Sequence, residues 1–344
     1  MTRILIVSDA WRPQINGVVR TFERMLEYAD DVGVEMDVLG PDRFRTIPCP
    51  TYPEIRLALT TPRRVSKMIE DFGPDYLHIA TEGPLGLLAR RWAKKTKQPF
   101  TTSYHTRFPE YLAARFPVPK SITYSLIRRF HNAGNACMVT TQGLEEHLVE
   151  HGITSLLRWP RGVDHKLFRP RPEIDRFKDL PRPIFTYVGR VSVEKNLEAF
   201  LDLDLPGTKV IVGDGPAFNS LKSRYTEAHF TGAQVGEDLA ECYASSDVFV
   251  FPSKTDTYGI VLLEALASGV PVAAYPVLGP KDVVGGTDVA VLSEDLKSAA
   301  LQALEISGEK CREFALGFSW KASAETFVNN MKIANEGLVK TAAE

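Results

Sequence analysis

The chain has 344 residues, 44% hydrophobic and 24% charged, with a formal net charge of −2. At about 100–200 residues per domain this length predicts two domains, and the composition excludes collagen-like, mucin-like and wholly disordered chains. The small net charge conceals an imbalance, 24 Lys and Arg against 18 acidic residues in 1–170 but 17 against 25 in 171–344, which suggests either that one half meets an anionic partner or that two domains have simply drifted in charge.

Arg3–Val7 (RILIV) reads as a buried strand. It meets Ser8 and Asp9 too soon for the apolar core of a signal peptide. A helix is expected at Val18–Tyr28, then strands at Val34–Leu39 and Tyr76–Ile79. A helix at Leu85–Lys95, a strand at Phe100–Tyr104 and a helix at Ile122–Phe130 repeat the unit, as do Cys137–Thr140 and Leu144–Glu150. Strands alternating with amphipathic helices predict a parallel sheet covered on both faces. Asp164–Pro183, with four prolines and many charges, reads as an interdomain linker. The alternation restarts with strands at Ile184–Val188, Lys209–Val212, His229–Thr231 and Val248–Phe251. A helix at Ile260–Ser268, a strand at Val270–Ala274 and helices at Leu296–Ile306 and Ala322–Ile333 complete the chain. The expected architecture is α/β, two doubly wound domains facing across a cleft, with ligands beyond the carboxyl ends of the strands. No apolar run approaches the roughly 18–20 residues of a membrane span. Cys49, Cys137, Cys242 and Cys311 show no C-x-x-C spacing, which fits a reducing cytoplasm.

Two segments carry chemistry. In Val188–Asn196 (VGRVSVEKN) a strand ends in Gly189, and Arg190 and Lys195 follow, with Glu194-Lys195-Asn196 expected to open a helix. Two cations over a helix N-terminus suit a diphosphate; a solvated loop is the plainer alternative. In Ser253–Ala265 (SKTDTYGIVLLEA) the carboxylates Asp256 and Glu264 stand eight apart. Glu264 sits among Leu262, Leu263, Ala265 and Leu266, so its carboxylate needs a hydroxyl or amide partner, either a ribose diol or a neighbouring protein group.

With these two segments in this order, the chain resembles the retaining glycosyltransferases of family 4, which have the two-domain GT-B fold. Gly189-Arg190…Lys195 matches the G-R-x-x-x-x-K signature of that family, and Asp256…Glu264 its pair of acidic residues. Trp11–Thr21, Tyr104-His105-Thr106, Arg161–Asp164 and Gly213–Pro216 extend the likeness over nearly the whole chain. Within the family it is most similar to bacterial α-mannosyltransferases and to enzymes that transfer glucose, glucuronate or sulfoquinovose to diacylglycerol. The resemblance implies that Arg190 and Lys195 hold the donor diphosphate, Glu264 the donor ribose and Asp256 the sugar hydroxyls. It also implies that Gly17 presents backbone N–H near the donor phosphate and that His105 sits over the sugar. Gly189, Glu194, Gly213, Asp214, Tyr258, Gly259 and Ile260 complete the donor side. Asp256 stands where the family usually has Glu, one methylene longer, which bears on the choice of sugar.

The domain expectation is residues 1–168 on the acceptor side and 183–320 on the nucleotide-sugar side, with 321–344 a C-terminal helix crossing back to the first. On the acceptor side, Arg107, Tyr111, Arg115, Arg128 and Arg129 lie among aromatic and aliphatic residues, a composition suited to a membrane interface or to an ordinary half-buried helix. The implied partners are a nucleotide-diphosphate sugar, a lipid acceptor and an anionic membrane surface, with no metal, no other cofactor and no nucleic acid. The implied location is the inner face of the cytoplasmic membrane. Asp202-Leu203-Asp204 and His147-Leu-Val-Glu150-His151 mimic metal motifs. The first reads as a polar turn and the second as the solvated face of a helix. His78 and His229 read as structural, while His131 suits either the interior or the acceptor side. No G-x-G-x-x-G follows the first strand, which argues against a dinucleotide oxidoreductase. A sugar-nucleotide epimerase and a catalytically silent binding module are the remaining alternatives.

Overall fold

The structure is a computed structural model that describes residues 1–14, 16–49, 52–105, 107, 109 and 119–339, with 52–55 described as backbone. The chain divides into two compact units, one of Met1–Arg161 together with the segment from Trp320, the other of Gly162–Ser319.

The first unit is built on strands β1 (Thr2–Val7), β2 (Val34–Leu39), β5 (Tyr76–Ile79), β6 (Phe100–Ser103), β7 (Ala136–Val139) and β8 (Leu156–Arg158), in the order β2-β1-β5-β6-β7-β8, all parallel. An antiparallel hairpin of β3 (Arg45–Cys49) and β4 (Tyr52–Leu59) is inserted before β5. The helices are α1 (Gly17–Glu27), α2 (Pro62–Phe72), α3 (Pro84–Thr96), α4 (Lys120–His131) and α5 (Gln142–Glu150). Three of these starts have a local side-chain cap. Asn16 Oδ1 accepts from the backbone N–H of Val18 and Val19, Thr61 caps α2 and Thr141 caps α5. The C-terminal helix α13 (Trp320–Asn335) belongs to this unit. Its Phe327 meets Trp159 at 4.6 Å and His78 at 5.0 Å between ring centroids, and Phe22 closes the aromatic cluster. Burying such rings is a large share of a domain's apolar stabilisation.

The second unit repeats the design with β9 (Ile184–Val188), β10 (Thr208–Val212), β11 (His229–Gly232), β12 (Val248–Phe251), β13 (Val272–Ala274) and β14 (Ala290–Leu292), in the order β11-β10-β9-β12-β13-β14, again all parallel. Its helices are α6 (Glu198–Leu201), α7 (Phe218–Arg224), α8 (Gly236–Ala244), α9 (Ile260–Ala267), α10 (Leu278–Val284), α11 (Leu296–Ala303) and α12 (Gly308–Leu316). This is the Rossmann strand order, and it reverses direction between β9 and β12. A reversal of that kind opens a crevice at the carboxyl ends of the two strands.

The stretch 164–183, expected to be a linker, is packed into the second unit. Phe168 and Phe177 are buried in its core, and Arg312 donates to the Phe168 carbonyl at 2.7 Å and to the His165 carbonyl at 3.0 Å. Among the described residues, no helix is long and apolar enough to cross a membrane.

Candidate functional site

The loops that follow β9 and β12 flank the point where the strand order reverses, and they are tied together three times. Lys195 Nζ donates to Asp256 Oδ1 at 2.5 Å, Asn196 Nδ2 to the Pro252 carbonyl at 3.1 Å and Thr255 Oγ1 to the Glu194 carbonyl at 3.4 Å. The Lys195 and Asp256 side chains keep only 17% and 18% of their exposure, so the pair works in a partly dehydrated setting where charge interactions strengthen. Among the described residues, Asp256 Oδ2 is buried with no hydrogen-bond partner, as are the hydroxyls of Ser192 and Ser253 on the same two loops. Buried polar atoms left in this state ordinarily belong with a ligand or a water.

The backbone under Arg190 is set by glycines. Gly213 has φ +144, and a Cβ there would stand 1.8 Å from the Gly189 carbonyl oxygen; at Gly215 it would stand 2.4 Å from that of Val191. Side-chain-free turns let the two loops cross, joined by Gly189 N–H to Val212 O at 3.0 Å and Val191 N–H to Asp214 O at 2.9 Å. Tyr187 Oη donates to the Arg190 carbonyl at 2.9 Å. Arg190 is half-buried, while Asp214 is exposed and accepts from the Gly215 N–H at 2.7 Å. The helix expected from Glu194 is absent. Val193–Lys195 is a single 3-10 turn, and Asn196 is left-handed at φ 55, so α6 begins only at Glu198. Lys195 therefore contributes its own charge and no helix dipole.

Gly259, at φ +83, turns the chain from the β12 loop into α9, between buried Tyr258 and half-buried Ile260. One turn on, Glu264 is 3% exposed, and its Oε2 accepts from Tyr243 Oη of α8 at 2.9 Å. A protein phenol thus meets part of the hydrogen-bonding need of this carboxylate. Tyr243 carried no signal in the sequence, because it reaches Glu264 from a different helix.

In the first unit, His105 lies in a hydrogen-bonded chain. Arg161 Nη2 is 3.3 Å from His105 Nδ1, and a guanidinium can only donate, so Nδ1 accepts and the ring proton is assigned to Nε2. His105 Nε2 then donates to Ser103 Oγ at 2.8 Å, Ser103 to His78 Nε2 at 2.8 Å, and His78 Nδ1 to Thr101 Oγ1 at 2.9 Å. Loss of hydration and the Arg161 charge hold His105 well below the usual histidine range and His78 down at about 3. Arg161 itself lies 3.9 Å over the Trp159 ring. His131 is internal. Burial opposes its charged form, but Cys137 and the Glu82 carboxylate outweigh that and raise it to about 10. It contacts Thr102 Oγ1 at 2.8 Å and Glu82 Oε1 at 3.0 Å.

Gly17 is exposed as the first residue of α1. Arg128 and Arg129 are exposed on α4, and Arg107 is half-buried; Tyr111 and Arg115 lie outside the described residues. Asp202 and Asp204 form a surface turn, contacting Tyr225 Oη at 2.6 Å and Lys297 Nζ at 3.0 Å. Asp9 was missed. Buried at the end of β1, its Oδ1 accepts from the Leu85 N–H at 2.8 Å and its Oδ2 from Gly86 at 3.2 Å, capping α3. Burial raises its pKa.

The two units have the fold of the GT-B glycosyltransferases. Sucrose-phosphate synthase from Thermosynechococcus elongatus superimposes with a TM-score of 0.76 over 98% of this chain and 100% of that one, at 20% identity. An Anabaena protein solved with UDP and glucose gives 0.70 over 98% and 99%, at 14% identity. Residues 15–167 match the model described as Glycosyltransferase Family 4, and residues 182–307 the one described as Glycosyl transferases group 1. A GDP-mannose-dependent alpha-mannosyltransferase of Mycobacterium tuberculosis is 33% identical over 82% of this chain and 81% of its own length. A sulfoquinovosyl transferase of Arabidopsis thaliana is 30% identical over 95% and 72%. The chain belongs to the family 4 glycosyltransferases.

Proposed function

We propose that the protein is a retaining, metal-independent glycosyltransferase that moves a hexose or hexuronic acid from a nucleotide-diphosphate sugar to a lipid such as diacylglycerol. It works at the inner face of the cytoplasmic membrane, and UDP-glucose and UDP-glucuronate are the favoured donors. The observation that carries the reading is the Lys195–Asp256 contact on the loops at the strand-order reversal, with Arg190 on the same loop as Lys195. Transfer breaks the bond from the anomeric carbon to the diphosphate oxygen. Negative charge then grows on the leaving group, and two fixed cations lower the barrier in place of a metal ion. The acceptor oxygen bonds to the anomeric carbon on the face that the diphosphate leaves, and the departing phosphate oxygen takes the acceptor proton. Asp256, held to Lys195 through one oxygen, keeps the other for a sugar hydroxyl, and Glu264 takes the ribose. His105, neutral and bonded at both ring nitrogens, serves as a shaped wall rather than a base.

The lipid acceptor is supported by α4, where Ile122 and Leu126 are 56% and 65% exposed beside Lys120, Arg128 and Arg129. Apolar residues ringed by cations suit an anionic bilayer surface. An alpha-monoglucosyldiacylglycerol synthase of Streptococcus pneumoniae, 27% identical over 94% of this chain and 83% of its own length, supports it as well. The second reading, a GDP-mannose-dependent mannosyltransferase, rests on the 33% identity to the mycobacterial enzyme. The test is purified protein with diacylglycerol vesicles and UDP-glucose, UDP-glucuronate, UDP-galactose or GDP-mannose, following nucleotide release and glycolipid together. Glycolipid from a UDP-sugar is the expected result. Product only from GDP-mannose selects the second reading. Donor turnover without acceptor indicates an epimerase, and binding without turnover a silent module.

A further inference from the structure

His147, Glu150 and His151 form a second cluster that the transfer chemistry does not use. From α5 and the residue that caps it, each offers one ligand atom, and these atoms all lie within 4.8 Å of one another. We infer that this cluster is a binding site for a borderline-soft divalent transition metal of the zinc, cobalt or copper kind. As a surface helix pattern the motif is unremarked, but two features of the folded chain distinguish it from a solvated face.

The first is that the imidazoles are oriented by partners of the kind that metal-bound histidines have. His151 Nδ1 donates to the His147 carbonyl at 2.7 Å, which fixes its tautomer and leaves the Nε2 lone pair as the ligand atom. His147 Nε2 is 2.7 Å from Tyr124 Oη, and Tyr124 comes from a different helix, α4. The Tyr124 ring also lies against His151, with centroids 3.7 Å apart, and the two imidazoles are 4.5 Å apart. Both rings are thus held from outside their own helix, so little side-chain freedom remains to be lost when a metal binds.

The second is position. His151 is the C-cap of α5 and so stands at the negative end of the helix dipole, a setting that favours a cation. Two neutral imidazoles and one carboxylate match the ligand preference of zinc and its neighbours, whereas magnesium and calcium prefer all-oxygen sets. The three residues cover one side of the ion, and water fills the other positions. Because Tyr124 belongs to α4, an ion bound here joins α4 to α5, so its consequence is structural.

The test uses the full-length chain without a histidine tag, titrated with Zn²⁺ alone by calorimetry and with Co²⁺ alone by visible absorption. The expected result is one metal per chain at micromolar affinity, with cobalt d–d bands. His151→Gln should weaken binding about 100-fold and Glu150→Gln about 10-fold, while both variants keep the metal-free melting temperature. Tyr124→Phe should weaken binding about 10-fold, the range for loss of an outer partner. Stoichiometric binding that His151→Gln leaves unchanged, or no binding of either ion at 1 mM, overturns the assignment. Neither readout involves sugar transfer, so this inference and the proposed reaction fail independently.

Discussion

In the proposed reaction, single residues on the β9 and β12 loops stabilise the leaving diphosphate. Arg190→Ala and Lys195→Ala should each lower kcat about 10²-fold or more, with a smaller effect on donor KM, because charge stabilisation matters most in the transition state. Turnover unchanged in both variants removes them from the site. In the proposed reaction Tyr243, which donates to Glu264, acts through that carboxylate rather than on the donor. Tyr243→Phe should therefore raise donor KM several-fold, keep kcat near wild type and cost about 1 kcal/mol of stability from one lost hydrogen bond. An unchanged KM would show that Glu264 needs no such support. Gly213→Ala sets a new Cβ 1.8 Å from a carbonyl oxygen, whereas at Gly232 nothing lies within 4 Å and only the φ of +77 is strained. Gly213→Ala should cost about 3 kcal/mol or more and Gly232→Ala about 1, as read from denaturant midpoints. Equal losses would mean that the crossing of the two loops is easily relaxed.

At the scale of elements, the buried histidines make stability depend on pH in both directions. His78 on β5 is held neutral down to about 3, so between pH 6.5 and 3 the unfolded ring binds more protons than the folded one. Stability is lost as pH falls through that window, by at most about 1.4 kcal/mol per pH unit, and His105 acts in the same direction. His131, raised to about 10, has the opposite sign. Its contribution is complete below pH 6.5 and lost as pH rises towards 10. The melting temperature should peak near neutrality, with an acid limb that flattens in His78→Gln; identical acid limbs in the two proteins would refute the assignment.

Elements with strong local patterns were legible in the sequence. The apolar runs of β1, β9 and β12 announce buried parallel strands. The β3–β4 hairpin was not legible, because Pro48 and Pro53 argue against strands, although a two-stranded antiparallel ribbon has free edges that tolerate proline. Three-residue strands such as β8 and β14 are too short to show a period. Helices α8 and α12 bury only a few residues each, and they owe their existence to tertiary packing, which for both includes α9. At the candidate site, the spacing of Asp256 and Glu264 was readable along one segment. The Lys195–Asp256 pairing and the Arg161–His105–Ser103–His78 chain join residues far apart in sequence and became visible only with the fold.

For the whole molecule, the decisive fact is that the first unit is discontinuous and the second is not. Residues 162–319 expressed alone should fold, with a cooperative melt and native-like circular dichroism. Residues 1–161 alone should not, because Trp159, Phe22 and His78 lose Phe327, and Trp159 Nε1 and the Pro160 carbonyl lose Ser323. Adding α13 back as a separate peptide should restore part of the structure. A stable, monomeric 1–161 would show that α13 is an ornament.

The same discontinuity sets a timetable for biosynthesis. When Arg161 leaves the ribosome, every strand of the first unit has been made but its aromatic cluster has no cover, and the missing helix is encoded beyond the whole second unit. At roughly 5–20 residues per second, the nascent chain carries that apolar face for on the order of ten to thirty seconds. The second unit can finish in that interval, so the half of the molecule made first is the half completed last. Its exposure to chaperones and to aggregation is fixed by gene order rather than by stability.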